Sequence, residues 1–244
     1  MPLARASYLD RLLACPGGAW LAQADTRGPG AIAAANWGTA AHAWKETGLY
    51  PGGTTGVALK KRVAASGIDR LKLWPVTGVH EVALAYNVVR GNVMMSTSKD
   101  AAYNDRWKAA FDDEWVTGSL DFVDDVFGEP WLDDLKTGRL VHYKDYEAQQ
   151  SFYVMAWCLA DKGKLTRSRS TLTHWPRYPL GGLPSRFGVT MEVEYLELFR
   201  DKLAQLRKDI LAKDNSLLST GAQCTYCPSR GACPRLAQLE METE

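Results

Sequence analysis

Within Glu192 to Lys213, Leu196, Phe199, Leu203, Leu206 and Ile210 recur at intervals of three, four, three and four. That spacing lays one continuous apolar stripe and predicts an amphipathic helix. "GVHEVALAYNVV" alternates instead and is rich in β-formers, which predicts a strand. "EWVTGSLDFVDDVF" and "PWLDDLKT" predict two more, joined through "GEP" as a hairpin. Tyr146 to Ala160 is a strongly apolar helix, and "RSTLTHW" is a strand. Near the start, Ser7 to Leu13 opens as a helix on an S-x-x-D signal and stops at "CPGG". "ADTRGPG" predicts a loop, Thr39 to Thr47 a helix, and "VALKKRVAAS" another. Asn92 to Glu114 reads as irregular, with a short helix around Ala102 to Phe111, and "PRYPLGGLPSRFG" reads as a loop. Helices, three strands, a helix, a strand and a helix in that order predict a mixed α/β core.

At 244 residues the chain is long enough for one sizeable core. Its net charge of +1 carries no global basic excess, which argues against a tail-driven nucleic-acid binder. A local basic groove beside an acidic site cancels in such a sum. The N-terminus lacks a long apolar segment of the signal-peptide kind, and no stretch approaches a membrane span. The expectation is a cytoplasmic protein with no membrane partner. Its five cysteines then read as metal ligands or buried thiols rather than disulfides.

The chemistry begins with "GTAAHAWKE", where His42 and Glu46 stand four apart and share a helix face. Asp121 ends "GSLD" on one predicted strand. Asp134 and Lys136 of "DLK" lie two apart on the next, so they share a strand face. One imidazole and two carboxylates suit Mg²⁺ or Mn²⁺ with water completing the shell. A lysine beside them can position a water or offset charge on a phosphate. This set suits phosphodiester hydrolysis by a metal-activated water.

These residues resemble RecB-like nucleases of the PD-(D/E)XK superfamily. "GTAAHAWKE" is similar to their G-T-x-x-H-x-x-x-E, "GSLD" to G-x-x-D, "DLKTG" to D-x-K-T-G, and "QQSFY" to Q-x-x-x-Y. The order is also that of the family. The resemblance implies a restriction-endonuclease-like core, a central mixed sheet flanked by helices. It implies His42, Asp121 and Asp134 as metal ligands, with the Leu135 carbonyl as a fourth, and Lys136 as the catalytic lysine. Gln149 and Tyr153 would line the site, touching DNA or holding the lysine. Glu46 would stand behind the ligands or on the DNA side.

Cys224, Cys227 and Cys233 form C-x2-C-x5-C, and Cys15 is the candidate fourth thiolate. Spacing alone leaves zinc and iron–sulfur both open. One cysteine before the first motif and three after the last resemble the iron–sulfur subgroup of the same nucleases. That subgroup includes CRISPR-associated RecB-like exonucleases and the AddB nuclease domain. The resemblance implies a structural 4Fe–4S cluster joining the two ends of a single nuclease domain, 1–244. Segments 1–37 and 214–234 would bear the cluster, and 38–213 would be the catalytic core. Cys158, in an apolar helix, reads as a buried thiol.

Asp125 and Asp133 read as solvated neighbours of the acids. Glu81 begins a strand and reads as an outside candidate for the metal. Trp37, Trp44, Trp107 and Trp175 read as core rather than as base-stacking platforms. Lys99, Arg106 and Lys108, or Arg167, Arg169, Arg177 and Arg186, are candidates for phosphate contacts, equally readable as a solvated face. The functional expectation is a metal-dependent DNA exonuclease acting on single-stranded ends. The alternative is a DNA-end- or partner-binding subunit beside a helicase, a recombinase or a CRISPR complex, with weak or endonucleolytic cleavage.

Overall fold

The computed structural model describes residues 2–21, 29–68, 78–97, 110–126, 129–137, 142–175, 183–221, 223–224 and 227–242. Seven strands form one mixed sheet: β1 (Ala4–Arg5), β2 (Val79–Asn87), β3 (Val93–Ser96), β4 (Trp115–Val126), β5 (Glu129–Lys136), β6 (Ser168–His174) and β7 (Ser185–Met191). The path across it runs β3-β2-β4-β5-β6-β7, and β1 adds parallel to β4. The β5–β6 pair is also parallel, the crossover between them being helix α4 (Glu147–Lys162).

Helices cover both faces. On one lie α1 (Leu9–Ala14), α4 and α5 (Val193–Ala212), packed on Val116, Leu120 and Leu132. On the other lie α2 (Pro29–Thr47) and α3 (Gly53–Ser66), packed on Phe122, Leu135 and Trp175. Strand alternation produces both layers: Leu132 and Leu135 lie an odd number of residues apart and enter opposite cores. Gly118 on β4 sits where α4 presses closest. A Cβ there would lie 2.7 Å from Tyr153 Cε1 and 2.7 Å from Ala6 Cβ, so only glycine fits.

The pairing of β4 positions the site. One edge of β4 pairs with β2 along almost its whole length. The other edge is shared: β1 takes Val116 and Thr117, and β5 takes Phe122 to Val126. The β4–β5 ladder therefore ends at Phe122–Asp133, one residue short of Asp121 and Asp134. Beyond that point the strand pairing of β5, among the described residues, continues on its β6 side, through Asp134–Leu172 and Lys136–His174.

The mixed α/β fold, the hairpin and the Val193–Ala212 helix agree with the periodicity. The differences have local causes. Helix α2 begins ten residues before Thr39, because a proline suits a helix's first turn and four of the ten added residues are alanine. "VMMS" within the irregular stretch is strand β3, and "SRFG" within the expected loop begins β7; both are edge strands, where exposure blurs the pattern. The helix expected around 102–111 lies outside the described residues except for its last two, which are not helical. Ser7 does not cap α1; it lies in a 3₁₀ turn, Ala6–Tyr8. Asp10 instead accepts the N–H groups of Ala148 and Gln149, at 2.8 and 3.2 Å, and caps α4 from a distant segment. Cys158 is fully buried, and Trp37, Trp44 and Trp175 are core residues in ring contact with one another. Trp107, Lys99, Arg106, Lys108 and Arg177 lie outside the described residues.

Candidate metal centre

His42 enters from α2, Glu81 from β2 and Asp121 from β4. One ligand atom from each lies within 4.8 Å of the others. His42 Nδ1 is 3.3 Å from Asp121 Oδ1, and its Nε2 donates to the Leu135 carbonyl at 3.2 Å. Where the ladder has ended, the Leu135 N–H donates to Asp121 Oδ2 at 2.6 Å. An aspartate thus replaces a strand neighbour and turns the Leu135 carbonyl toward His42. Asp134 does not belong to that triplet: its Oδ2 lies 2.6 Å from Lys136 Nζ, in a pair almost closed to solvent.

Glu81 is the residue that sequence reasoning undervalued. It faces Asp121 across β2 and β4, at the one step where their pairing is interrupted. Its φ of +54° lies in the left-handed region, rare for a side-chain-bearing residue and concentrated at functional sites. No local signal announces such a backbone in "HEVAL".

The electrostatics are those of acids crowded out of water. Burial alone would lower the His42 pKa, but Asp121, then Asp134 and Glu81, raise it to about 9. Burial, with Asp121 and Asp134, pushes Glu81 up to about 7 against the pull of His42. Burial and Asp121 push Asp134 up to about 7 although Lys136 lies beside it. Burial would raise Asp121, but His42, Lys136 and the Leu135 N–H hold it below the ordinary carboxylate range. Lys136 is buried yet held above the usual lysine range by Asp134 and Asp121. The imidazole bridges two expected ligand oxygens, and three groups cling to protons beside it. A divalent cation with a preference for oxygen and imidazole ligands fits this donor set.

Gln149 and Tyr153 are both 3% exposed, and Gln149 Nε2 donates to Tyr153 Oη at 2.8 Å. They support the floor of the site rather than face solvent. The aromatic face that meets Lys136 belongs to Tyr146, whose ring centroid is 4.7 Å from Nζ. Glu46 is half-buried one turn beyond His42, and the carboxylate that joins His42 and Asp121 is that of Glu81.

Asp133 corrects the expectation of a solvated neighbour. It does point away from Asp134, but it is fully buried, accepting from Thr171 and Thr173 at 2.6 Å each with Arg186 at 3.6 Å. Parallel pairing with β6 brings those threonines to it, an arrangement no local pattern reveals. Lys45, also unmarked in the sequence reading, is buried on the same side. Burial pushes its amine down to about 5 against Asp133 and Asp121. Arg167 pairs with Glu129 and Glu192 at 3.0 Å each, as a solvated face does.

Cys15, Cys224, Cys227 and Cys233 line one cavity between the N-terminal segment and the tail, and all four are free thiols. Among the described residues no three cysteine sulfurs come within 4.8 Å of one another. Four thiolates on one zinc ion stand about 3.8 Å apart. The four sulfurs are therefore not gathered as closely as one zinc ion would hold them.

The profile of the PD-(D/E)XK nuclease superfamily matches residues 6–234, and the chain belongs to that superfamily. Membership points to metal-dependent nuclease activity on DNA, with Mg²⁺ or Mn²⁺ as the metal. No curated protein matches the sequence. Solved structures similar to the chain include the crystal structure of SSO0001, 15% identical, with 73% of this chain and 70% of that chain covered at a TM-score of 0.39. No helix among the described residues is long and apolar enough to cross a membrane.

Proposed function

We propose that the chain is a single-domain, cytoplasmic DNA exonuclease acting on single-stranded ends, with one divalent-metal centre. The observation that carries the reading is the convergence of His42, Glu81 and Asp121 within 4.8 Å, beside the Asp134–Lys136 pair. His42, Asp121, Asp134 and the Leu135 carbonyl would hold Mg²⁺ or Mn²⁺, and Glu81 joins them by position. When bound, the ion lowers the pKa of water and offsets charge on the phosphate. Asp121 orients His42 and fixes the Leu135 peptide through the two bonds described. Lys136, protonated and largely shielded from water, presents an ammonium where charge builds on the phosphate. Gln149 holds the Tyr153 hydroxyl, and the Tyr153 ring packs against β4 at Gly118. The preference for single-stranded ends rests on the resemblance of all four motifs to RecB-like exonucleases.

The four cysteines would bind a 4Fe–4S cluster, which ties 1–37 and 214–234 together around the 38–213 core. The cysteine pattern's resemblance to the iron–sulfur subgroup supports a cluster, and structural zinc is the alternative. Iron, sulfide and zinc content of anaerobically purified protein decides between them.

The activity is tested by cleavage of end-labelled single- and double-stranded DNA, linear and circular, with Mn²⁺, Mg²⁺ or EDTA. Metal-dependent loss from single-stranded ends, absent in Asp134→Ala, is the expected result. Cleavage of circles would make it an endonuclease, and no cleavage by protein with all metals loaded would overturn the reading.

A further inference from the structure

Lys136 carries a charge where there is little water: its side chain is 19% exposed. Among the described residues, two groups lie against its ammonium. Asp134 Oδ2 lies 2.6 Å from Nζ, and the Tyr146 ring centroid lies 4.7 Å from it. Tyr146 closes the 3₁₀ turn Tyr143–Tyr146 immediately before α4. That turn is braced by Asp145, which accepts the His142 N–H at 3.2 Å, and α4 is capped by Asp10. The ring therefore stands on a fixed support.

The two partners differ once a metal is bound. Asp134 is a proposed ligand, and a divalent cation competes with the ammonium for its oxygen. A buried ammonium that loses the carboxylate it pairs with is costly. The face of Tyr146 is not a metal ligand and keeps its attraction for the cation, which strengthens as water is excluded.

We infer that Tyr146 is a positioning residue for Lys136, its ring face holding the ammonium in place when Asp134 turns to the metal. The chemical consequence rests on the nuclease reading, whereas the contact itself does not. Nothing in the sequence singles out Tyr146: it lies three residues before the Q-x-x-x-Y match.

Two measurements test this. In protein with labelled lysines, the ring current should move the Lys136 ε-methylene signal upfield, the signal being assigned by its loss in Lys136→Ala. The shift should survive saturation with Mg²⁺, vanish in Tyr146→Leu, and persist in Tyr146→Phe and Tyr146→Trp. In cleavage assays Tyr146→Leu should lower kcat about tenfold, the worth of a desolvated cation–π contact. KM for DNA should stay within about twofold, and the Phe and Trp variants should retain activity. An absent shift, or one lost on adding Mg²⁺, overturns the inference. So does a Phe variant as impaired as Leu, which would assign the role to the hydroxyl, or a rise in KM alone, which would make Tyr146 a DNA contact. If wild type cleaves nothing, the nuclease reading fails, and the spectra still decide whether Tyr146 holds Lys136.

Discussion

Asp121 Oδ2 accepts the Leu135 N–H at 2.6 Å, taking the place of a strand neighbour where the β4–β5 ladder stops. The same carboxylate faces His42 through its other oxygen. One residue thus does structural and chemical work, and substitutions separate the two. Asp121→Asn keeps an acceptor and loses the charge; it should abolish metal-dependent cleavage with little loss of stability. Asp121→Ala also leaves a buried N–H unpaired and should lose a further 1–3 kcal/mol or so, read as a lower midpoint in urea.

Glu81 combines a half-buried carboxyl with left-handed backbone. Glycine adopts that backbone freely, so Glu81→Gly should stabilise the metal-free protein by about 1 kcal/mol. It should also weaken Mn²⁺ binding by roughly tenfold or more, since a charged ligand is lost. Thermal melts with EDTA and with Mn²⁺ check both. A variant that melts lower than wild type in EDTA would show the backbone to be unstrained.

Stability without metal should depend on pH in a definite direction. The folded state raises Glu81 from 4.5 to about 7, Asp134 from 3.8 to about 7, and His42 from 6.5 to about 9. Between about pH 4 and 7 the folded state holds more protons than the unfolded chain through Glu81 and Asp134, so stability falls as pH rises; above that, Lys45, pushed from 10.5 down to about 5, offsets His42. A divalent ion must displace those protons, and its stabilisation grows as they leave. The Tm in EDTA should therefore drop between about pH 5 and pH 7. The increment from Mn²⁺ should be small at the acid end and largest above neutrality. An increment that shrinks with pH would place the ion elsewhere.

Asp10 caps α4 across 138 residues of sequence. Asp10→Ala frees two N–H groups at the head of the helix that carries Gln149 and Tyr153. The expected cost is about 1 kcal/mol of stability. Cleavage should fall with it, and Asp10→Asn, which keeps an acceptor, should recover most of both.

Local pattern sufficed for much of this molecule, because burial imposes periodicity wherever a segment has one wet face and one dry face. The stripe from Leu196 to Ile210 and the alternation in "GVHEVALAYN" are direct records of that constraint, and both became the elements they predict. The pairing of Asp134 with Lys136 on one strand face is legible in the chain, whereas His42 meets Asp121 only because α2 packs over β4. What sequence alone left undetermined depends on contacts between distant segments. Asp133 looked like a solvated acid until β6 brought Thr171 and Thr173 to it. Glu81 joined the site through a backbone conformation that only its surroundings enforce. Tyr146 meets Lys136 because a turn and a cap fix where α4 begins. The pattern of the four cysteines leads to the expectation of a shared ligand, but the folding of the tail against the first helix is what places them around one cavity. Faces follow from the chain's own geometry, while partners follow from the packing of whole elements.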